Sequence, residues 1–472
     1  MTGVHDRFRA IVGERYALFD PQDTSPFTQD MRGRYSETSP LVLRPGSVEE
    51  LQAIARLASE TRTPIIPQGG NTGLVGAGLP LQGKPDGVML SLGRMNRVID
   101  VDTGSNTMLV EAGCVLDTIQ KAADEAGRLF PLSLGSQGSC QIGGNISSNA
   151  GGTAVLAYGN TRELVMGLEV VLPTGEVWNG LSRLRKDNTG YDLKNLFIGA
   201  EGTLGIITKA VLKLHPKPRG RSVAYVAVAS PRHALDLLAL AKSAAGNSLT
   251  GFELMAARAM EFTLKHAQPP ARAPLADMPP WWVLMEISSG TSHEAARDMM
   301  EAVLADALEG HVIADAAIAN SLAQQEAFWT LREDMSGSQK PEGGSIKHDI
   351  SVPVGSIPDF IEKADTAVLA IVPAARIVNF GHMGDGNLHY NISQPVGWSR
   401  DDFFAREPAI NATIYDLVLA FEGSISAEHG IGQMKRDHLA RIKDPVALDL
   451  MRRIKRNFDP ANIMNPGKVI DV

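Results

Sequence analysis

Apolar residues at Leu51, Ile54, Ala55 and Leu57 repeat with helical spacing directly after Ser47-Val48-Glu49-Glu50. A serine followed three residues later by glutamate is a capping box, so a helix is predicted to open there and end near Thr61. The short apolar run Pro64-Ile65-Ile66-Pro67 then reads as a buried strand leading into a glycine loop. Further strand-like runs fall at Val88–Ser91, Met108–Ala112, Leu164–Leu172 and Gly205–His215, while Leu116–Ala126 has helical spacing. Residues 1–40 are polar without clear periodicity and are expected to form an N-terminal arm. Residues 41–218 then make a first α+β domain. Pro216-Lys217-Pro218-Arg219-Gly220 is the clearest linker. Beyond it, strand Ser222–Val228, helix Pro231–Ala245, strand Trp281–Ile287 and helix Thr291–Leu308 alternate. That order predicts a second α+β domain over 219–430, with helices on one face of an antiparallel sheet. Pro269–Pro280 reads as a loop. The segment 431–472 contains a basic-faced helix and is expected to pack back on the first domain.

The same patterning singles out one hairpin. In Gly381-His382-Met383-Gly384-Asp385-Gly386-Asn387-Leu388-His389, an Asp-Gly pair lies between the apolar runs Ile377–Phe380 and Leu388–Tyr390. Asp-Gly favours a two-residue turn, which would set His382 directly opposite His389. Opposed side chains on one face have Cβ atoms about 4.5–5.5 Å apart, a gap one divalent metal can bridge through two imidazoles. The alternative is a pair of histidines stacked on a sheet. Asn391, two residues on, shares the face of His389.

Composition narrows the class. With 472 residues the chain is too long for a single core. A net charge of −8 and no Lys/Arg cluster exclude a nucleic-acid footprint. The two cysteines, Cys114 and Cys140, make neither a disulfide framework nor a thiolate zinc site. Met1–Arg9 lacks the apolar core of a signal peptide, and no apolar run approaches the roughly 20 residues that span a bilayer. The expectation is a cytoplasmic protein, with a homodimer as the assumed assembly.

The 46 glycines concentrate in a few loops. These are Gln68-Gly69-Gly70-Asn71-Thr72-Gly73, then Pro131 through Leu134, Gly135, Gly138 and Ser139. A third holds Ile142, Gly143, Gly144, Ser148, Asn149 and Gly151, and a fourth Glu201, Gly202 and Ile206. Exposed N–H groups in such loops form anion-binding concavities that suit a pyrophosphate. The turn Gly76-Ala77-Gly78 is not a nicotinamide fingerprint, because Pro80 stands where a phosphate-binding helix would begin. No phosphate-loop motif is present either.

Pro67–Leu74, Gly143-Gly144-Asn145 with Asn149-Ala150-Gly151-Gly152, and Gly202–Thr208 resemble the FAD domain of the vanillyl-alcohol oxidase type. The His382–His389 segment, Glu428-His429-Gly430 and Asn465-Pro466-Gly467-Lys468 resemble its D-2-hydroxy-acid dehydrogenase branch. The likeness covers nearly all of the chain beyond residue 40. It implies an FAD domain, an α+β cap with an antiparallel sheet, and a C-terminal segment, including Asn465, returning to the flavin. Where some members attach FAD through a histidine, this chain has Asn71. Cys140 lies closer to Gly143 than the linking cysteine of the bicovalent branch. Noncovalent FAD is therefore expected.

The resemblance also implies roles. His382, His389 and Glu428 would bind a divalent metal, zinc being the best match for two imidazoles and a carboxylate. His429 is the candidate base, or else a histidine that orients a ligand. In the hydroxyglutarate-oxidising members an Arg, a hydroxyl residue four later and a Lys fifteen after the Arg are expected to bind substrate. Arg332, Ser336 and Lys347 match that spacing, and Asn391 joins them. Arg332 and Ser336 fall on one face of a predicted helix Ala323–Ser336. His348 points the other way, into the core. The implied reaction is oxidation of D-2-hydroxyglutarate to 2-oxoglutarate by hydride transfer to flavin N5. The alternatives are D-lactate or another D-2-hydroxy acid, or a glycolate-oxidase-type FAD subunit. Electrons would pass to an unidentified acceptor, a quinone or an electron-transfer flavoprotein.

Overall fold

The computed structural model describes residues 3–84 and 86–472. The chain forms two compact units. One comprises Met1–Ala150, Asn160–Lys217 and His429–Val472; the other comprises Gly151–Gly159 and Pro218–Glu428.

In the first unit the Ser47 hydroxyl accepts the Glu50 N–H at 3.2 Å, and the helix runs Val48–Thr61. Glu50 completes its half of the cap one residue early, accepting from Gly46 N at 2.7 Å. Strand Ile65–Gln68 lies parallel to Val88–Ser91, which is parallel to Val42–Leu43, and Ala17–Leu18 closes this sheet antiparallel. A second, antiparallel sheet has the order Val98–Asp102, Thr107–Glu111, Ile206–Lys213, Val165–Val171, Val177–Gly180. Helix Ile142–Ser148 approaches it so closely that a Cβ on Gly143 would lie 2.8 Å from that of Ala112. Residues 3–40, expected as an irregular arm, carry helices Val4–Val12 and Pro21–Thr28. Phe8 and Val12 are buried one helical turn apart; the charges around them obscured the period. In the C-terminal segment, helix Pro445–Phe458 presents the buried Lys455, whose ammonium donates to the carbonyls of Thr203 and Met464, each at 2.8 Å.

The second unit is built on a seven-stranded antiparallel sheet. Its order is Asp315–Ile318, Gly220–Val228, Trp281–Ser289, Leu249–Ala256, Arg376–His382, Asn387–Ser393, Ser345–Ser351. Helices cover both faces rather than the single face expected. Val223, Tyr225 and Ala227 share a core with Met260, Phe262, Phe328 and Leu331 from two helices. The alternate residues Ala224, Val226 and Val228 are equally buried, and helices Pro231–Ala245 and His293–Glu309 contact the same strand. Strands Gly220–Val228 and Trp281–Ser289, covered on both sides, are near-continuous apolar runs over most of their length, whereas Asn387–Ser393 keeps a strict polar–apolar alternation. Among the described residues no helix is long and apolar enough to cross a membrane.

Candidate functional site

A cleft in the first unit encloses about 990 Å³ free of protein atoms, open solvent included. Gln68, Gly69, Gly70, Asn71, Thr72 and Gly73 line it, with Gly143, Gly144, Ser148, Glu201, Gly202, Ile206 and His429. Cys140, Gln141 and Asn145 also face it; Asn145 belongs to the Gly143-Gly144-Asn145 motif and Cys140 lies just before it, while nothing in the sequence marked Gln141. Pro131, Leu134, Gly135, Gly138, Ser139, Ile142 and Asn149 are absent from its wall. The Leu134–Ser139 stretch folds into turns packed against the first loop: a Cβ on Gly70 would lie 2.1 Å from the Ser139 carbonyl oxygen, while Gly135 and Gly138 face open space. Ile142 is buried at a helix start, and Asn149 caps that helix in the left-handed region while accepting from Arg162 N. Gly151 belongs to the second unit, beside Glu428. Asn465 stands behind the wall, donating to the carbonyls of Glu201 at 2.7 Å and Ala77 at 3.0 Å.

The cleft fits a flavin nucleotide. Gly73 and Gly144 have nothing within 4 Å of where a Cβ would project. The buried Gln141 Oε1 and Asn145 Oδ1 lack hydrogen-bond partners and call for donors such as a flavin N–H or ribityl hydroxyls. Asn71 sits at φ 53°, its amide donating to the carbonyls of Pro26 and Gln29, so it offers no nucleophile for a covalent link. Burial pushes the Cys140 thiol up. The Glu201 carboxylate accepts from Ile431 N at 2.6 Å and Gly432 N at 2.7 Å, fixing the loop that follows His429. Burial outweighs these bonds and raises its pKa to about 7.

The second unit gathers the histidines. Strands Arg376–His382 and Asn387–Ser393 form the expected hairpin with another register: His389 faces Phe380, not His382. The connection is the four-residue stretch Met383–Gly386; Gly386 has φ 90°, while Asp385 stays out of the left-handed region. The slip is two residues, and an even slip keeps both histidines on one face. Their ring centroids are 5.4 Å apart. Glu428 arrives on a segment that bridges Ser351 to Ser424, and its N–H donates to Asp349 Oδ2 at 2.9 Å. Ligand atoms of His382, His389 and Glu428 all lie within 4.8 Å of one another, with His382 Nε2 3.6 Å from Glu428 Oε1.

This cluster continues the apolar sheet face. Met255, Phe380, His389 and Asp349 form one row across four strands, and Glu253 and His382 are paired in the next. Lys347 and Asn391 are register partners on the same face. Arg332 covers it from helix Leu322–Glu333, which ends three residues before the predicted limit; Ser336 lies in the turn beyond. The Lys347 ammonium donates to the Ser336 carbonyl at 3.2 Å. Arg332, expected to bind substrate with Ser336 and Lys347, is ion-paired with the buried Glu253 at 2.7 Å and stacks over Phe380. His348 lies on the opposite face, bonded to the Tyr390 carbonyl and Asn411.

Sequence reasoning missed Glu253 and Asp349 and read Asp385 only as a turn residue. A lone glutamate in the apolar run Phe252–Ala256 was the available signal for the first, and its position two residues after Lys347 for the second. With Glu428 they form a carboxylate-rich cluster. Burial, reinforced by Asp349, Asp385 and Glu253, raises Glu428 to about 7 despite the opposing pull of His382. Burial draws the His382 imidazolium down, but Glu253 and Glu428 outweigh it and raise its pKa to about 9. Two imidazoles and the partly buried Glu428 carboxylate, within reach of one another and next to the buried Asp349, fit a bound cation.

Residues 39–180 match the family model "FAD binding domain", and residues 217–469 match "FAD linked oxidases, C-terminal domain". Mitochondrial D-2-hydroxyglutarate dehydrogenase of Arabidopsis thaliana is 36% identical over 98% of this chain and 80% of its own. The enzyme of that name from Danio rerio is 37% identical, covering 98% and 84%. That from Xanthomonas citri pv. viticola is 36% identical, covering 96% and 93%. Among solved structures, p-cresol methylhydroxylase superposes with a TM-score of 0.80 at 19% identity over 99% of this chain and 96% of its own. The 4-ethylphenol oxidase of Gulosibacter chungangensis gives 0.75 at 18% over the same shares. At that identity the structural likeness speaks for the fold. The chain belongs to the FAD-linked oxidase family and is an FAD-dependent oxidoreductase related to the D-2-hydroxyglutarate dehydrogenases.

Proposed function

We propose that this enzyme oxidises D-2-hydroxyglutarate to 2-oxoglutarate, using noncovalent FAD and a divalent metal. The observation that carries the reading is the cluster of His382, His389 and Glu428 on the same sheet face as Lys347 and Asn391. Relatives named for this substrate over nearly the full chain support it. His382 Nε2, a His389 nitrogen and a Glu428 oxygen would hold the metal; zinc suits that donor set. FAD in the glycine-loop cleft would supply a hydride acceptor at N5 for the C2 hydrogen, and the metal would supply Lewis-acid polarisation of the C2 hydroxyl and its neighbouring carboxylate. His429 takes the hydroxyl proton, because an imidazole ordinarily titrates near neutral pH. Lys347 and Ser336 take the distal carboxylate, Asn391 offers its amide, and Arg332 contributes Nη1, the nitrogen outside its pair with Glu253. The electron acceptor implied is a quinone or an electron-transfer flavoprotein, and the assembly expected is a cytoplasmic homodimer.

A second reading, D-lactate or another D-2-hydroxy monocarboxylate, is favoured by that same pair, which already neutralises the guanidinium. Lys347→Ala separates the two. Losing a charged partner in a buried site costs about 2–5 kcal/mol, so kcat/KM for D-2-hydroxyglutarate should fall by that amount while D-lactate turnover changes little. Equal losses on both acids would reject the dicarboxylate reading.

A further inference from the structure

Glu253 sits mid-strand in Leu249–Ala256, fully buried, directly across the ladder from His382. Its Oε1 accepts from His382 Nδ1 at 2.7 Å. Its Oε2 accepts from Arg332 Nε at 2.8 Å, with Nη2 2.7 Å away. A buried carboxylate needs a partner, but Arg332 alone would satisfy that need. We propose that Glu253 is a positioning residue that serves both ends of the site, presenting His382 to the metal and Arg332 to the substrate. The inference rests on the metal reading above.

The chemistry follows from the two grips. A neutral imidazole carries one N–H, and an acceptor at Nδ1 places the proton there. The Nε2 lone pair is then left for the ion, and Nε2 is the nitrogen facing Glu428. A carboxylate at the far nitrogen also makes the imidazole a stronger ligand. On the other side, Arg332 is held along its Nε–Nη2 edge and packed over the Phe380 ring at 4.8 Å. Its rotation is thereby restricted, and Nη1 is the guanidinium nitrogen left for a second anion. Both grips come from one side chain on a central strand. The separation of metal ligand and guanidinium is thus set by the sheet and not by a loop.

The test uses FAD-loaded protein stripped of metal and titrated with Zn²⁺ against a chromophoric chelator. Wild type should bind one Zn²⁺ at this site, and Glu253→Gln should weaken that binding about 10–100-fold and raise KM for the hydroxy acid. Arg332→Met should raise KM and leave Zn²⁺ affinity within about twofold, because His382 keeps its acceptor. Glu286→Gln removes a carboxylate on the adjacent strand that serves Trp329 and Thr250, and should change neither. If Glu253→Gln loses its fold through the stranded Arg332 charge, Glu253→Gln/Arg332→Met removes that charge and should still bind Zn²⁺ weakly. Wild-type affinity in either Glu253 variant, or an equal loss in Glu286→Gln, overturns the proposal while the metal reading stands. A wild type that binds no Zn²⁺ overturns both.

Discussion

His382 shows how a single side chain is tuned by its neighbours. Without metal, the surrounding carboxylates hold its imidazolium protonated up to a pKa of about 9, and burial raises Glu428 to about 7. A metal must displace the proton on Nε2, so binding releases it. Apparent Zn²⁺ affinity should therefore climb about tenfold per pH unit towards pH 9, and more steeply below pH 7 where Glu428 also gives up a proton. Titrations at several pH values, with proton release read from buffers of different ionisation enthalpy, check this. A flat pH profile would contradict the ligand assignment. The residue types were legible in the sequence at this scale, and their partners were not. Nothing around position 253 announces that its carboxylate meets residues 332 and 382, because those contacts join positions 79 and 129 residues apart.

The hairpin carries the lesson at the scale of elements. Asp385-Gly386 correctly marked a reversal between two strands, but the turn took four residues and the register moved by two. The shared face of His382 and His389 survived only because that shift is even. Close backbone contact fixes the observed register: a Cβ on Gly381 would come within 2.3 Å of the Asn387 carbonyl oxygen on the partner strand. Gly381→Ala should therefore destabilise the unit by about 1–3 kcal/mol and weaken metal binding, while flavin content stays normal. Denaturant unfolding with and without Zn²⁺ measures both effects; an alanine variant of unchanged stability would show that the strands can part without loss. Helix Leu322–Glu333 ended early for a comparable reason. Apolar spacing does not report where the chain turns away, and Ser336 reaches Lys347 from a turn.

For the whole molecule, the two-unit organisation could be read from glycine loops and the Pro-rich stretch at 216–220. The assignment of Gly151–Gly159 to the second unit could not. That segment follows a glycine loop of the first unit without a break in composition, and only its packing, such as Leu156 against Gly384, separates it. Nor could sequence show that the Leu134–Ser139 turns pack against Gly70. With an amide at position 71 bonded to main-chain carbonyls, acid denaturation should release all of the FAD to the supernatant. Flavin retained on the precipitated chain would refute noncovalent attachment. Anaerobic bleaching of the flavin by a panel of D- and L-2-hydroxy acids reads out the reaction. D-2-hydroxyglutarate should bleach the flavin fastest, its L enantiomer should leave it oxidised, and D-lactate should be slower. Preference for D-lactate, or a flavin that stays yellow with every acid in the panel, would contradict the account.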